Sequence, residues 1–183
     1  MNEPCYVIIP NWNGIDMIEE CLEALRRQTL AHTVIVVDNG SVDGSNDVVR
    51  EKYPEVQLLE FPNNAGFAGG VNRGIAPALV QGAAYVVLLN NDAVADEHWL
   101  EELVAVAEAD ETVGIVAAKI VTQDGKKIDS TGDFYSVWGF PYPRGPRRSG
   151  YGAIRRRRHA RYICGVGGRQ LVPGEYAARD RAV

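Results

Sequence analysis

The strongest constraint on the fold is an alternation that runs through the first two thirds of the chain. Short apolar runs are each followed by a polar turn and then by a segment of helical spacing. CYVIIP (5–10) is an apolar run of strand length closed by a proline. Residues 15–28 follow, with Ile15, Ile18, Leu22 and Leu25 at helical spacing and acids on the opposite face. TVIVV (33–37) is a second strand, apolar on both faces as central parallel strands are. DNGSVDGS (38–45) is dense in turn and cap residues and leads into a short helix ending at Lys52. A third strand is expected over 56–61, a loop over 62–66, and a helix over 68–80. Gly69, Gly70, Gly74 and Pro77 all weigh against that helix. A fourth strand (85–89), a helix over 96–110 with Leu100, Leu103, Val104 and Ala107 on one face, and a fifth strand (113–121) complete the series. QDGK (123–126) then signals a hairpin turn.

Strands alternating with helices predict an α/β fold: a mainly parallel sheet with helices on both faces. In such sheets ligands bind beyond the carboxyl ends of the strands. That rule selects residues 11–14, 38–44, 63–66 and 90–92, and all four ends are polar.

Length and composition narrow the class. A chain of 183 residues, 46% hydrophobic and 23% charged, fits one soluble domain. No apolar run reaches the roughly 18 residues of a membrane span, and residues 1–10 are too short for a secretory leader, so a cytoplasmic location is expected. Cys5, Cys21 and Cys164 are scattered and read as buried, reduced thiols. The net charge of −5 conceals a break: residues 1–140 balance to −14 and residues 141–183 to +9. A folded domain over 1–140 and a separate basic tail over 141–183 are therefore expected. For Arg155 to Arg158, His159 and Arg161 the open readings are a solvated tail or a patch for anionic lipid or nucleic acid. The expectation taken forward is peripheral association with the inner face of a membrane, without a nucleic-acid partner.

The strand ends carry the chemistry. At Asp38 a carboxylate can accept a hydrogen bond from the imide N–H of uracil or thymine, a donor that cytosine lacks. The competing reading is a turn or helix cap, for which Asp43 and Ser45 are also placed. Asp92 follows the apolar YVVLL (85–89) and Asn90-Asn91, where a lone carboxylate suits Mg²⁺ or Mn²⁺. Capping of the following helix is the equally simple alternative. NAGFAGG (64–70) lets backbone approach a phosphate or ribose. It matches neither the dinucleotide fingerprint nor the P-loop, which excludes both readings.

IIPNWN (8–13), VVDNGSVDGS (36–45), NNAGFAGG (63–70) and LNND (89–92), in this order and with these gaps, resemble the motifs of family 2 glycosyltransferases. Within that family the resemblance is to rhamnosyl- and galactofuranosyl-type enzymes of cell-surface polysaccharide synthesis, and it covers about residues 5–135. It implies a GT-A fold and inverting transfer from a UDP- or dTDP-sugar to a saccharide or lipid-linked saccharide. It also implies a divalent cation, Mg²⁺ or Mn²⁺. By the same resemblance Pro10 and Trp12 line the base pocket and Asp38 reads the pyrimidine. Asn11, Asn39, Asn64, Gly66, Asn72 and Asn91 complete the nucleotide-sugar contacts, and Asp92 is the metal ligand. Asn91 stands where an acid is commoner.

The family's general base is an acid in a Glu-Asp-type motif well after the metal carboxylate. Past Asp133 the chain offers only Glu175 and Asp180, neither in such a motif, so no catalytic base is assigned. Residues 165–183, back-translated with suitable codons and read one base later, resemble the segment that joins the donor and acceptor halves in these enzymes. The expectation is a truncated product whose tail is out of frame or disordered. A catalytically inactive nucleotide-sugar-binding fragment is therefore the alternative function. A nucleotidylyltransferase would need basic residues in its N-terminal Gly-rich loop, and NWNG (11–14) has none.

Overall fold

The computed structural model describes residues 4–110, 112–121, 128–130, 133–136, 138, 140–143 and 165–167. Four strands, β1 (Cys5–Asn11), β2 (Thr33–Asp38), β3 (Gln57–Glu60) and β4 (Tyr85–Leu88), alternate with four helices. These are α1 (Ile18–Arg26), α2 (Ser45–Lys52), α3 (Gly66–Val80) and α4 (Trp99–Ala109). β5 (Ile115–Val116), β6 (Ile120–Val121), β7 (Ile128–Ser130), β8 (Asp133–Tyr135), β9 (Pro141–Pro143) and β10 (Gly165–Gly167) follow.

The main sheet has the order β3-β2-β1-β4-β10-β5. β1 through β4 are mutually parallel, with Asn11 opposite Asp38 at one carboxyl edge. The chain winds outward from β1 through β2 to β3, then crosses back to lay β4 on the other side of β1. The crevice between the tips of β1 and β4 is thus the point where the winding reverses, which is where open α/β sheets bind ligands.

The period-2 alternation of strand side chains sorts the core onto two faces. Val7, Ile9, Val34, Val36 and Val87 point to one side, where Ile18, Leu22 and Leu25 of α1, Val49 of α2 and Trp99, Leu100 and Leu103 of α4 cover them. Tyr6, Ile8, Ile35, Val37 and Val86 point to the other side, against Ala78 of α3. Each fully buried Val, Leu or Ile contributes about 1.5–3 kcal/mol by leaving water, so these runs had to become interior strands.

Three elements differ from expectation. α1 begins at Ile18 rather than residue 15, because the Gly14 carbonyl first accepts the amides of Met17 and Ile18 in a turn. α3 forms despite its glycines and Pro77, and begins at Gly66. Its small residues are what the packing requires: a Cβ on Gly74 would lie 2.4 Å from Ile8 Cγ2 and 2.8 Å from Val37 Cγ2. Close approach to the sheet overrides propensity here. The expected strand over 113–121 is broken at Ala117 to Lys119 into β5 and β6. β6 pairs antiparallel with β7, and the 123–126 turn between them lies outside the described residues.

Beyond the compositional break at 141, β9 pairs with β8, and β10 enters the main sheet antiparallel to both β4 and β5. Arg155 to Arg158, Glu175 and Asp180 lie outside the described residues, as does Cys164. Cys5 and Cys21 are buried free thiols, both pushed up to about 12 by desolvation, as expected of inert core cysteines.

Candidate functional site

The tips of β1, β2 and β4 meet in one hydrogen-bonded network at the carboxyl edge. Asp38 ends β2 at 1% exposure. Its Oδ2 accepts the backbone amides of Gly40 and Ser41, both at 3.0 Å. Its Oδ1 accepts the Ser41 hydroxyl and Asn11 Nδ2, the latter at 3.2 Å. Burial pushes this carboxyl up, but hydrogen bonds from Ser41, Asn46 and Asn11 outweigh it and hold Asp38 below the usual carboxylate range. It is a buried, charged anchor whose acceptor positions are filled from within the chain.

Asp43 organises the next turn. Its Oδ2 accepts the Ile15 amide at 2.8 Å, and its Oδ1 accepts the Ser45 amide at 3.0 Å and the Ser45 hydroxyl at 2.7 Å. Burial again raises its pKa, and the bonds from Ser45 and Ile15 bring it below the ordinary value. The N-cap of α2 is Gly44, without a side-chain cap bond, and Asp43 closes the turn just before it on Ser45.

Asn11, 1% exposed, joins the three strands. Its Nδ2 donates to Asp38 and, at 2.9 Å, to Ser45 Oγ, while its Oδ1 accepts Asn91 Nδ2 at 2.8 Å. Asn91 follows β4, so this last bond spans the β1–β4 crevice. Asn13 adopts a left-handed φ of 50° and accepts the Val42 amide at 2.9 Å, tying the β1 loop to the β2 loop.

The other expected site residues divide by exposure. Pro10 is half-buried at the end of β1, and Trp12, at 56% exposure, presents its ring to solvent beside the tip. Asn39 is buried with its Oδ1 lacking a hydrogen-bond partner among the described residues, while its Nδ2 donates to the Gly66 carbonyl at 3.4 Å. A buried acceptor of this kind calls for a donor from water or a ligand. Asn64 is spent on a turn, accepting the Gly66 amide at 2.7 Å, and Asn72 is exposed on α3.

Asp92 is exposed in the loop after β4, close enough to Cys21 for its charge to add to the thiol's elevation, after burial. The loop is held by the Ala93 amide on the Asn90 carbonyl at 3.1 Å and by Cys21 Sγ on the same carbonyl at 3.5 Å. Among the described residues no cluster of three or more His, Cys, Asp or Glu could hold a metal. A cation here would take Asp92 as its one protein carboxylate, which fits Mg²⁺ or Mn²⁺ completed by phosphate and water oxygens.

The strand-end rule selects the stretches that hold Asn13, Gly14 and Ser41, but assigns none of the three a role. The hydrogen bonds that join Asn13 to Ser41 and Val42 cross between loops that are distant in sequence, which no local pattern encodes.

The family model described as "Glycosyl transferase family 2" matches residues 6–167. The chain is 28% identical over 135 residues to N-acetylglucosaminyl-diphospho-decaprenol L-rhamnosyltransferase of Mycobacterium tuberculosis, covering 65% of this chain and 44% of that enzyme. The structure of the mannosyltransferase PcManGT from Pyrobaculum calidifontis, in complex with GDP-Man and Mn²⁺, superposes with a TM-score of 0.55 at 30% identity, covering 64% of this chain and 35% of that one. TarS of S. aureus in complex with UDP superposes with a TM-score of 0.59 at 22% identity, covering 67% and 37%. The chain spans less than half the length of each of these proteins.

Proposed function

Because the chain belongs to glycosyl transferase family 2 and has its GT-A fold, we propose that it forms the donor-binding half of a transferase. The donor is a UDP- or dTDP-sugar, and the acceptor a cell-surface saccharide or lipid-linked saccharide. The observation that carries this reading is the network at the β1–β4 crevice. It brings the anchored carboxylate of Asp38 to the same edge as the exposed carboxylate of Asp92.

The residues divide the work by chemistry. Trp12, exposed beside the β1 tip, offers a flat apolar surface to a base. Asp38 faces the base edge, where an imide N–H displaces the Ser41 hydroxyl from its Oδ1. Asn39 Oδ1, buried without a partner among the described residues, takes a ribose or water donor. Asp92 holds the divalent cation, which supplies charge neutralisation to the departing nucleoside diphosphate. The solved relative with Mn²⁺ supports that role for a cation in the family. Inversion at the sugar carbon requires a base on the opposite face, and no described residue is assigned to it.

Calorimetric titration with UDP, dTDP and GDP, with and without Mn²⁺, tests the donor reading. UDP and dTDP should bind more tightly than GDP, and binding should weaken at least about tenfold in EDTA or in Asp92→Ala, the loss of one charged contact. Equal affinity in EDTA would leave Asp92 as a loop cap. Turnover with a panel of nucleotide sugars separates a transferase from the alternative, a catalytically silent nucleotide-sugar-binding fragment, which would bind without transferring.

A further inference from the structure

The network fixes the direction of every hydrogen bond in it. Asp38, ionised, only accepts. Ser45 has one hydroxyl proton, and it goes to Asp43 Oδ1 at 2.7 Å, so toward Asn11 Ser45 can only accept. Two acceptors from two different elements therefore face the same side of the Asn11 amide, and both require its Nδ2 there. The Asn11 Oδ1 is left pointing across the crevice at β4, where it needs a donor. Asn91 Nδ2 supplies it at 2.8 Å. Gly14 packs against this bond: a Cβ there would lie 2.2 Å from Asn91 Nδ2 and 2.4 Å from Asn11 Oδ1.

We propose that Asn91 is a positioning residue, required as an amide rather than an acid. Its donor N–H, dictated through Asn11 by the acceptors of the β2 loop, locks the β4 loop that presents Asp92. The proposal rests on the donor-site reading for its functional consequence. It accounts for the amide at a place where the family resemblance leads one to expect a carboxylate. An acid at 91 would not provide a second cation ligand here. It would set a charged acceptor against the buried Asn11 Oδ1. Among the described residues, the Asn90–Ala93 turn would then be held by Cys21 Sγ on the Asn90 carbonyl and by its own backbone bond. The fold makes the crossing worth holding, because this bond bridges the two strand tips between which the winding reverses.

The experiment compares the full chain with Asn91→Asp and Asn91→Ala, using UDP with Mn²⁺ as the probe and thermal unfolding as a ligand-free readout. At about pH 8, Asn91→Asp should bind Mn²⁺ and UDP about tenfold more weakly than wild type, the scale of one hydrogen bond lost with its acceptor left unpaired. The Asn91→Asp deficit should appear in melting temperature as well as in affinity, and should exceed that of Asn91→Ala, which removes the donor without setting a second acceptor against Asn11 Oδ1. Tighter Mn²⁺ and UDP binding by Asn91→Asp would make position 91 a ligand position and overturn the proposal. An Asn91→Asp deficit no larger than that of Asn91→Ala would overturn it as well. If wild type binds no nucleotide, the donor-site reading fails. The melting temperatures then still decide the relay, since the larger deficit of Asn91→Asp needs no ligand.

Discussion

Asp38 and Asp43 are the two carboxylates of the site held below their ordinary pKa range, and each is held there by donors from its own loop once burial has been overcome. A depressed folded-state pKa contributes stability that is present above the unfolded value, about 3.9 for Asp, and is lost as pH falls through the folded value. The chain should therefore lose stability in acid below about pH 4. Asp43→Asn should flatten that loss, as urea titrations between about pH 5 and pH 2 would show. An unchanged acid profile would mean that the Ile15 and Ser45 bonds are not made in solution. Asp38→Asn should cost on the order of 1.5–3 kcal/mol, because whichever way the amide turns, its N–H₂ faces either the Gly40 and Ser41 amides or Asn11 Nδ2. It should also weaken UDP more than it weakens pyrophosphate; equal weakening of both would count against base reading at Asp38. At this scale the sequence disclosed which residues matter better than it disclosed what they touch. Asp38 and Asn91 stand out at strand ends. Their link through Asn11 depends on a register, Asn11 opposite Asp38, that no local pattern encodes.

At the scale of elements, legibility followed periodicity. The four parallel strands could be read because strands buried on both faces are continuous apolar runs, and their polar ends mark where the sheet stops. α3 was the hardest helix to read, since Gly69, Gly70, Gly74 and Pro77 oppose it locally. Its cause is tertiary: only glycine at 74 lets the helix settle against Ile8 and Val37. Gly74→Ala adds a better helix former and yet should destabilise the chain by about 1–3 kcal/mol, the usual cost of overpacking. A lower urea midpoint with an unchanged slope would show it. A stabilised Gly74→Ala would mean that propensity, not contact with the sheet, governs α3. β5 and β6 were misread as one strand because the apolar content of 113–121 continues through Ala117 and Ala118, while the pairing partners change between them.

At the scale of the molecule, the feature least visible in the sequence is β10. Three residues, Gly165–Gly167, carry no period, and they follow a basic stretch whose charge marks a change of character. They nevertheless occupy the position between β4 and β5, antiparallel to both, with Val166 opposite Val86 on one side and Ile115 on the other. Without them the order of the sheet is interrupted and the backbone edge of β4 is left open beside the strand that leads to Asn91 and Asp92. An open, flat, apolar edge is a template for pairing with another chain. A chain shortened to residues 1–144 should therefore melt at a lower temperature, each lost ladder bond contributing about 1 kcal/mol. It should also associate as its concentration rises, which sedimentation would detect. Its affinity for UDP with Mn²⁺ should fall too, because β4 carries the loop that presents Asp92. A shortened chain that stays monomeric, melts with the full chain and binds UDP equally well would show that β10 adds nothing to the sheet. The compositional break at 141 would then mark a structural limit as well as a chemical one.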